Sequence, residues 1–229
     1  MNAPAAVLFD MDGTLVDTEV LWWETAAEIA AGLGHRLTDA DAPEVVGRAV
    51  ADTAAHLVRV TGAGHPGTVA ADLTGSFFRR VDAGAPLRPG ARRLLADLEA
   101  AGVPFALVSA SPRSVVDSVV GGSLADVPFA FTLSADDTVR TKPHPDPYRV
   151  AAERLGVAPE ACVAVEDSPD GAASAQAAGC AVIVVPSLLP VGPAVRRSFV
   201  ESLEEVDLAV LRDRAAEPSA GPSGEPAAE

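Results

Sequence analysis

The 229-residue sequence predicts an α/β fold: a Rossmann-like, doubly wound parallel sheet core with an inserted all-helical cap domain. Three observations predict it. From residue 86 onward, short apolar runs alternate with helix-length stretches punctuated by Gly and Pro, the pattern of successive strand–helix–strand units. One further apolar run, residues 5–9, precedes this alternation and ends at Asp10 and Asp12. Between the two, residues 18–82 carry helical periodicity and no strand signal, so they read as an insertion.

The elements follow in order. Residues 5–9, Ala-Ala-Val-Leu-Phe, are apolar throughout and of strand length, as expected of a strand buried on both faces. Residues 18–33 place Trp22, Ala26, Ile29 and Leu33 on one helix face, and Gly34 marks the stop. Further helices are expected over residues 50–60 and 68–81, separated by the Gly-rich stretch 61–67. Pro89-Gly90 opens a helix over 91–101. A strand over 103–108 follows. Ser111-Pro112 opens the next helix, which runs to about residue 120, with Pro at the start and Ser111 read as its cap. The remaining pattern is a strand at 128–133, a helix at 147–155, a strand at 162–165, a helix at 169–178 and a strand at 181–185. The strands should be parallel and joined by right-handed crossovers. The expected domains are a core of residues 1–17 and 83–214 and a cap of residues 18–82. Residues 215–229, rich in Ala, Pro, Ser, Gly and Glu, read as a disordered tail.

Composition narrows the function. The net charge of −15, from 32 acidic and 17 basic residues, argues against nucleic acid, whose binding rests on neutralising phosphates, and against an anionic membrane surface. A small phosphate is compatible if a local cation offsets the field. Cys162 and Cys180 flank apolar runs and read as small buried hydrophobes; no zinc or disulfide spacing is present. No apolar stretch approaches membrane-spanning length and no secretory leader is visible. The expectation is a soluble cytoplasmic protein, monomer or homodimer. His35, His56, His65 and His144 lack ligand spacing and read as structural or exposed.

Polar groups close each strand of the alternation. Asp10 and Asp12 follow the first, Ser109-Ala110-Ser111 the 103–108 run, and Glu166-Asp167-Ser168 the 162–165 run, with Lys142 in the Pro-rich stretch between. Open α/β sheets bind ligands at the carboxyl ends of their strands. Acids so placed repel unless a cation or shared proton compensates. A calcium loop starting at Asp10 fails, because its fifth, sixth and twelfth positions are Thr14, Leu15 and Leu21. The parts suit phosphoryl chemistry. A carboxylate can act as nucleophile, a second as acid and base, magnesium can take the oxygen ligands, and Ser, backbone N–H and Lys can hold phosphate charge.

At these residues the sequence resembles the haloacid dehalogenase-like superfamily of phosphotransferases. The matching pieces are Asp10-Met-Asp12-Gly-Thr14, Val108-Ser109-Ala110, Lys142-Pro143-x-Pro145-Asp146-Pro147 and Glu166-Asp167-Ser168-Pro-Asp170-Gly171. The resemblance implies a Mg2+-dependent phosphatase for a small phosphomonoester, a sugar phosphate or related metabolite, acting through an aspartyl-phosphate. It implies Asp10 as nucleophile and metal ligand, and Asp12 as acid/base whose carbonyl ligates the metal. Ser109, Ala110 and Lys142 would bind phosphate, and Glu166 and Asp167 would serve the metal. A second Asp at residue 12 favours phosphate esters over halides, whose departure needs no proton.

The same resemblance implies a cap closing on hinges at residues 15–20 and 81–87, with Trp22, Gly47 and Arg48 as specificity residues. Trp22 and Trp23 also read as cap core, and Asp170 as a first-turn helix acid. Two alternatives stand: a phosphomutase of the beta-phosphoglucomutase type, and a catalytically silent binding module. The mutases carry a cap His and a cap Arg where this chain has Trp22 and Val50.

Overall fold

The structure is a computed structural model and describes residues 4–216. Its elements in chain order are β1 (Ala6–Phe9), α1 (Thr18–Gly32), α2 (Ala42–Val45), α3 (Val50–Thr61), α4 (Pro66–Ala83), α5 (Ala91–Ala100), β2 (Phe105–Val108), α6 (Arg113–Gly121), β3 (Thr132–Leu133), α7 (Asp146–Leu155), β4 (Cys162–Glu166), α8 (Pro169–Ala178), β5 (Ala181–Val184), β6 (Arg197–Phe199) and α9 (Leu208–Ala215).

The six strands form one sheet in the order β3-β2-β1-β4-β5-β6, and every pairing is parallel. The chain winds outward from β1 in one direction and then, from β4, in the other. β1 is therefore the switch point of a doubly wound sheet, where ligand crevices form.

Side-chain alternation explains the layers. Strand residues point alternately to opposite faces. In β1, Val7 and Phe9 join a cluster with Leu94, Leu98 and Val116 of α5 and α6, while Ala6 and Leu8 join one with Tyr148, Ala151 and Ala172 of α7 and α8. Both faces of the sheet are thus covered, which is why its strands are apolar without polar alternation. Each fully buried Leu or Phe here is worth about 1.5–3 kcal/mol over its exposed state.

Helices α1, α3 and α4 share a third apolar cluster, centred on Trp22, Leu57 and Leu73. Trp22 meets Phe77 edge to face at 5.6 Å. A buried polar knot completes the group. Asp41 accepts from the Thr38 backbone N–H at 2.9 Å and from His56 Nε2 at 2.8 Å, while Arg59 donates to His56 Nδ1. The two chain segments joining these helices to the sheet run side by side. Asp17 N–H bonds Pro86 O at 2.8 Å, and Arg88 N–H bonds Leu15 O at 2.9 Å.

Several expectations need correction. The strand expected at 128–133 is strand only at Thr132–Leu133, although the Ala130 N–H and the Phe131 carbonyl still bond the β2 backbone at Phe105 and Leu107. β4 extends one residue further than expected, so Glu166 lies on the strand itself. The sequence reading did not anticipate α2, β6 or α9. Ala215, expected to open a disordered tail, closes α9 instead; residues 217–229 of that expectation lie outside the described residues. Ser111 does not cap α6. That helix starts after Pro112 with no side-chain cap, and the Ser111 hydroxyl is used elsewhere.

Candidate active site

The sheet register builds the site. Phe9 is level with Leu107 of β2 and with Val165 of β4. The residues that follow these strands therefore emerge at one edge: Asp10 and Asp12 beyond β1, Ser109 to Ser111 beyond β2, and Asp167 beyond β4. Lys142 reaches the same point from the loop before α7. A cavity of about 470 Å³ opens above this edge, between it and α1, and Asp10, Asp12, Lys142 and Asp167 line its sheet side. Trp22, Gly47 and Arg48 line its helical side, as does Val50. Ala110 also faces the cavity, while Ser109 and Glu166 lie buried beneath it.

Asp10 is buried. Its Oδ1 accepts from Lys142 Nζ at 2.6 Å, and its Oδ2 is buried with no hydrogen-bond partner among the described residues. An unpartnered buried carboxylate oxygen is costly, so the position calls for a ligand. Lys142 also donates to Glu166 Oε1 at 2.6 Å. Burial lowers the Lys142 pKa, but the charges of Asp10 and Glu166 outweigh it and raise it overall. Lys142 is a permanent cation at the cavity floor.

Asp12 is held by three hydroxyls. Thr18 Oγ1 donates to its Oδ1 at 2.9 Å, and Ser111 and Ser109 donate to its Oδ2 at 2.7 and 3.3 Å. Burial, and then the neighbouring Asp10, raise its pKa, while the three hydroxyl bonds oppose them. Asp167 is pushed up to about 8, chiefly by burial and then by Asp10 and Glu166. Burial likewise raises Glu166, with Lys142 opposing.

Asp10, Glu166 and Asp167 each offer an oxygen within 4.8 Å of the others. An all-oxygen donor set, crowded acids and the unpartnered Oδ2 together fit a hard divalent cation. Gly13 makes room for this cluster. Its φ is +80°, and a Cβ there would stand 2.1 Å from Asp167 Oδ2.

Four residues here were not among the site residues expected from the sequence. Thr18 and Ser111 hold Asp12. Glu19 keeps its Oε2 buried without a hydrogen-bond partner among the described residues. Tyr148 donates its hydroxyl to Glu166 Oε1. Ser111 was visible in the sequence only as a helix cap, and Tyr148 as a lone tyrosine on an apolar helix face, where a buried hydroxyl needs an acceptor.

A profile of the haloacid dehalogenase-like hydrolases matches residues 4–179. The chain belongs to this family. It is 36% identical over 193 residues to hexitol phosphatase A of Escherichia coli K12, covering 78% of this chain and 81% of that protein. Among solved structures it resembles a candidate beta-phosphoglucomutase from Thermotoga maritima, with TM-score 0.78 and 26% identity over 91% of this chain and 98% of that one. It also resembles a hydrolase of the family from Deinococcus radiodurans with bound phosphate and sodium, with TM-score 0.75 and 29% identity over 95% of this chain and all of that one. The resemblance read from the motifs and the Rossmann-like fold are both borne out. Among the described residues no helix is long and apolar enough to cross a membrane.

Proposed function

We propose that this chain is a magnesium-dependent phosphatase that hydrolyses a small phosphomonoester, a sugar phosphate or related metabolite, through an aspartyl-phosphate on Asp10. The observation that carries the reading is the state of Asp10: one oxygen neutralised by Lys142 at 2.6 Å, the other buried and unpartnered at the floor of a cavity of about 470 Å³. That is a carboxylate prepared to bond to something else.

In this reading Asp10 attacks phosphorus, and the alkoxide leaves with a proton from Asp12. Asp12 then takes a proton from the water that hydrolyses the aspartyl-phosphate. Its raised pKa favours the protonated form that the first step requires. The Ser109 hydroxyl, the Ala110 N–H and the Lys142 ammonium carry the phosphoryl charge. Magnesium, held by Asp10, Asp167 and the Asp12 carbonyl with Glu166 alongside, would supply the positive charge that lets anionic nucleophile and anionic ester approach. Residues 18–82 serve as a cap whose Trp22, Gly47 and Arg48 select the leaving group.

Transfer within one sugar phosphate is the competing reading, and the Thermotoga neighbour raises it. Two lining residues weigh against it: Trp22 and Val50 stand where the resemblance places the mutases' His and Arg. The deciding experiment is a phosphate-release screen over sugar phosphates, phosphoglycolate and nucleoside monophosphates, with and without magnesium, with product analysis. Free phosphate, dependent on magnesium and absent with Asp10→Asn, is expected. An isomeric sugar phosphate as product, or full turnover by Asp10→Asn, would overturn the proposal.

A further inference from the structure

Lys142 is held by more than the carboxylates it neutralises. Its ammonium gives one hydrogen to Asp10 and one to Glu166, each at 2.6 Å, which leaves one of its three donors. The Tyr148 ring lies against the same nitrogen, with its centroid 5.3 Å away. The Tyr148 hydroxyl donates to Oε1 of Glu166, the oxygen that Lys142 also uses. Ser168 donates to the other Glu166 oxygen at 3.3 Å. Tyr148 is fully buried, so its hydroxyl has no solvent to turn to.

An ammonium on a flexible four-carbon stem is aimed only as well as its partners are fixed. Glu166 is fixed at both oxygens, and one of those fixings is Tyr148. The ring also presents its π face to the cation, which favours this position of the nitrogen. Without the hydroxyl, Oε1 would have Lys142 as its sole donor, and the ammonium would be drawn towards Glu166 and away from Asp10 and the cavity.

We propose that Tyr148 is a positioning residue for the phosphate-binding cation: it anchors Glu166 and thereby directs the third N–H of Lys142 into the cavity. This rests on the phosphatase reading of the site. Tyr148 touches no substrate in this role and acts through Glu166 and Lys142.

Tyr148→Phe keeps the ring and removes only the hydroxyl. Loss of such a supporting contact costs roughly tenfold or more in affinity or activity. With magnesium present, the Kd for inorganic phosphate should rise about tenfold, and kcat should fall about tenfold, while unfolding stays cooperative. A tyrosine that merely packs would lower the melting temperature and leave both constants near wild type; that result would overturn the proposal.

If Tyr148→Phe does not fold, the wild-type chain supplies the test, because Tyr148 is its only tyrosine. Labelled with 3-fluorotyrosine, it gives one 19F resonance. Saturation with inorganic phosphate should shift that resonance, and no shift at saturation overturns the proposal. An active wild type matched by Tyr148→Phe removes the Tyr148 assignment alone. A wild type that neither binds phosphate nor releases it from any ester removes the phosphatase reading and the assignment together.

Discussion

Asp12 is buried beside a second carboxylate and among three hydroxyls; burial first and the carboxylate second raise its proton affinity, and the hydroxyls lower it. The net effect is upward, which suits a group that must give a proton and then take one. This leads to a prediction about leaving groups. In Asp12→Asn, turnover of an alkyl phosphate should fall by about 10²–10⁴, the usual worth of positioned acid–base help. p-Nitrophenyl phosphate, whose leaving group needs little protonation, should lose far less. Paired kcat measurements on the two esters check this, and equal losses would refute an acid role. The expected site residues that the structure gathers lay in short motifs, Asp10, Asp12, Ser109, Glu166 and Asp167 at strand ends and Lys142 in the Pro-rich loop before α7. Ser111 was misread for a physical reason. A Ser just before a helix ordinarily caps it, and nothing local reveals that its hydroxyl meets a carboxylate 99 positions away.

At the scale of elements, two joints carry consequences. The turn after β1 brings Gly13 against Asp167, and a side chain there meets both a positive φ and a carboxylate. Gly13→Ala should cost roughly 1 kcal/mol or more from the backbone alone, seen as a lower urea midpoint. By displacing Asp167 it should also weaken the magnesium dependence of turnover. Unchanged magnesium activation would show that Asp167 has room to spare. The second joint is the polar knot that ties α2 to α3. The Thr38 backbone N–H leads in lowering the Asp41 pKa to about 2, with His56, the Thr38 hydroxyl and His35 adding to it against burial. A lowered folded-state pKa gives stability that is present above the ordinary carboxylate value and lost as pH falls through the folded one. Asp41→Asn should therefore destabilise the protein by about 1–3 kcal/mol near neutrality. That difference should shrink as pH drops from about 4 towards 2. Denaturant unfolding of both proteins across that range checks it, and a constant gap would remove the ionised carboxylate as its source. Periodicity made the longer helices and the buried strands legible. Short α2 and β6 carry too few residues to show a period, and α9 lies where the charged sequence masks its single buried side chain, Leu211.

At the scale of the whole molecule, the site exists because the sheet brings together segments far apart in the chain. β1 pairs with β4, so Ala6 faces Cys162 across the ladder. The alternation of strands and helices announced a parallel sheet, but the strand order came from pairings that no local pattern encodes. This assembly concentrates acids at one edge of a chain already at −15. Burying acids together is costly, as the upward shifts at Asp12, Glu166 and Asp167 record, with burial the larger cause and the neighbouring carboxylates adding to it. A cation that binds only when the ends of β1 and β4 are in place must therefore stabilise the entire fold. At a magnesium concentration of one hundred times Kd, the gain is about 2.7 kcal/mol. For a domain of this size each kcal/mol raises Tm by about 2–4 °C, so the expected rise is roughly 5–11 °C. Sodium chloride at matched ionic strength should give much less, since screening acts on exposed charges more than on buried ones. Asp167→Asn should start from a metal-free Tm close to that of wild type, because Asp167, pushed up to about 8, is already largely uncharged near neutrality, and should respond weakly to magnesium. Thermal melts of both proteins in magnesium, sodium and chelator decide it. A wild-type Tm equally responsive to both salts would mean that the acids are relieved by general screening rather than by a bound ion.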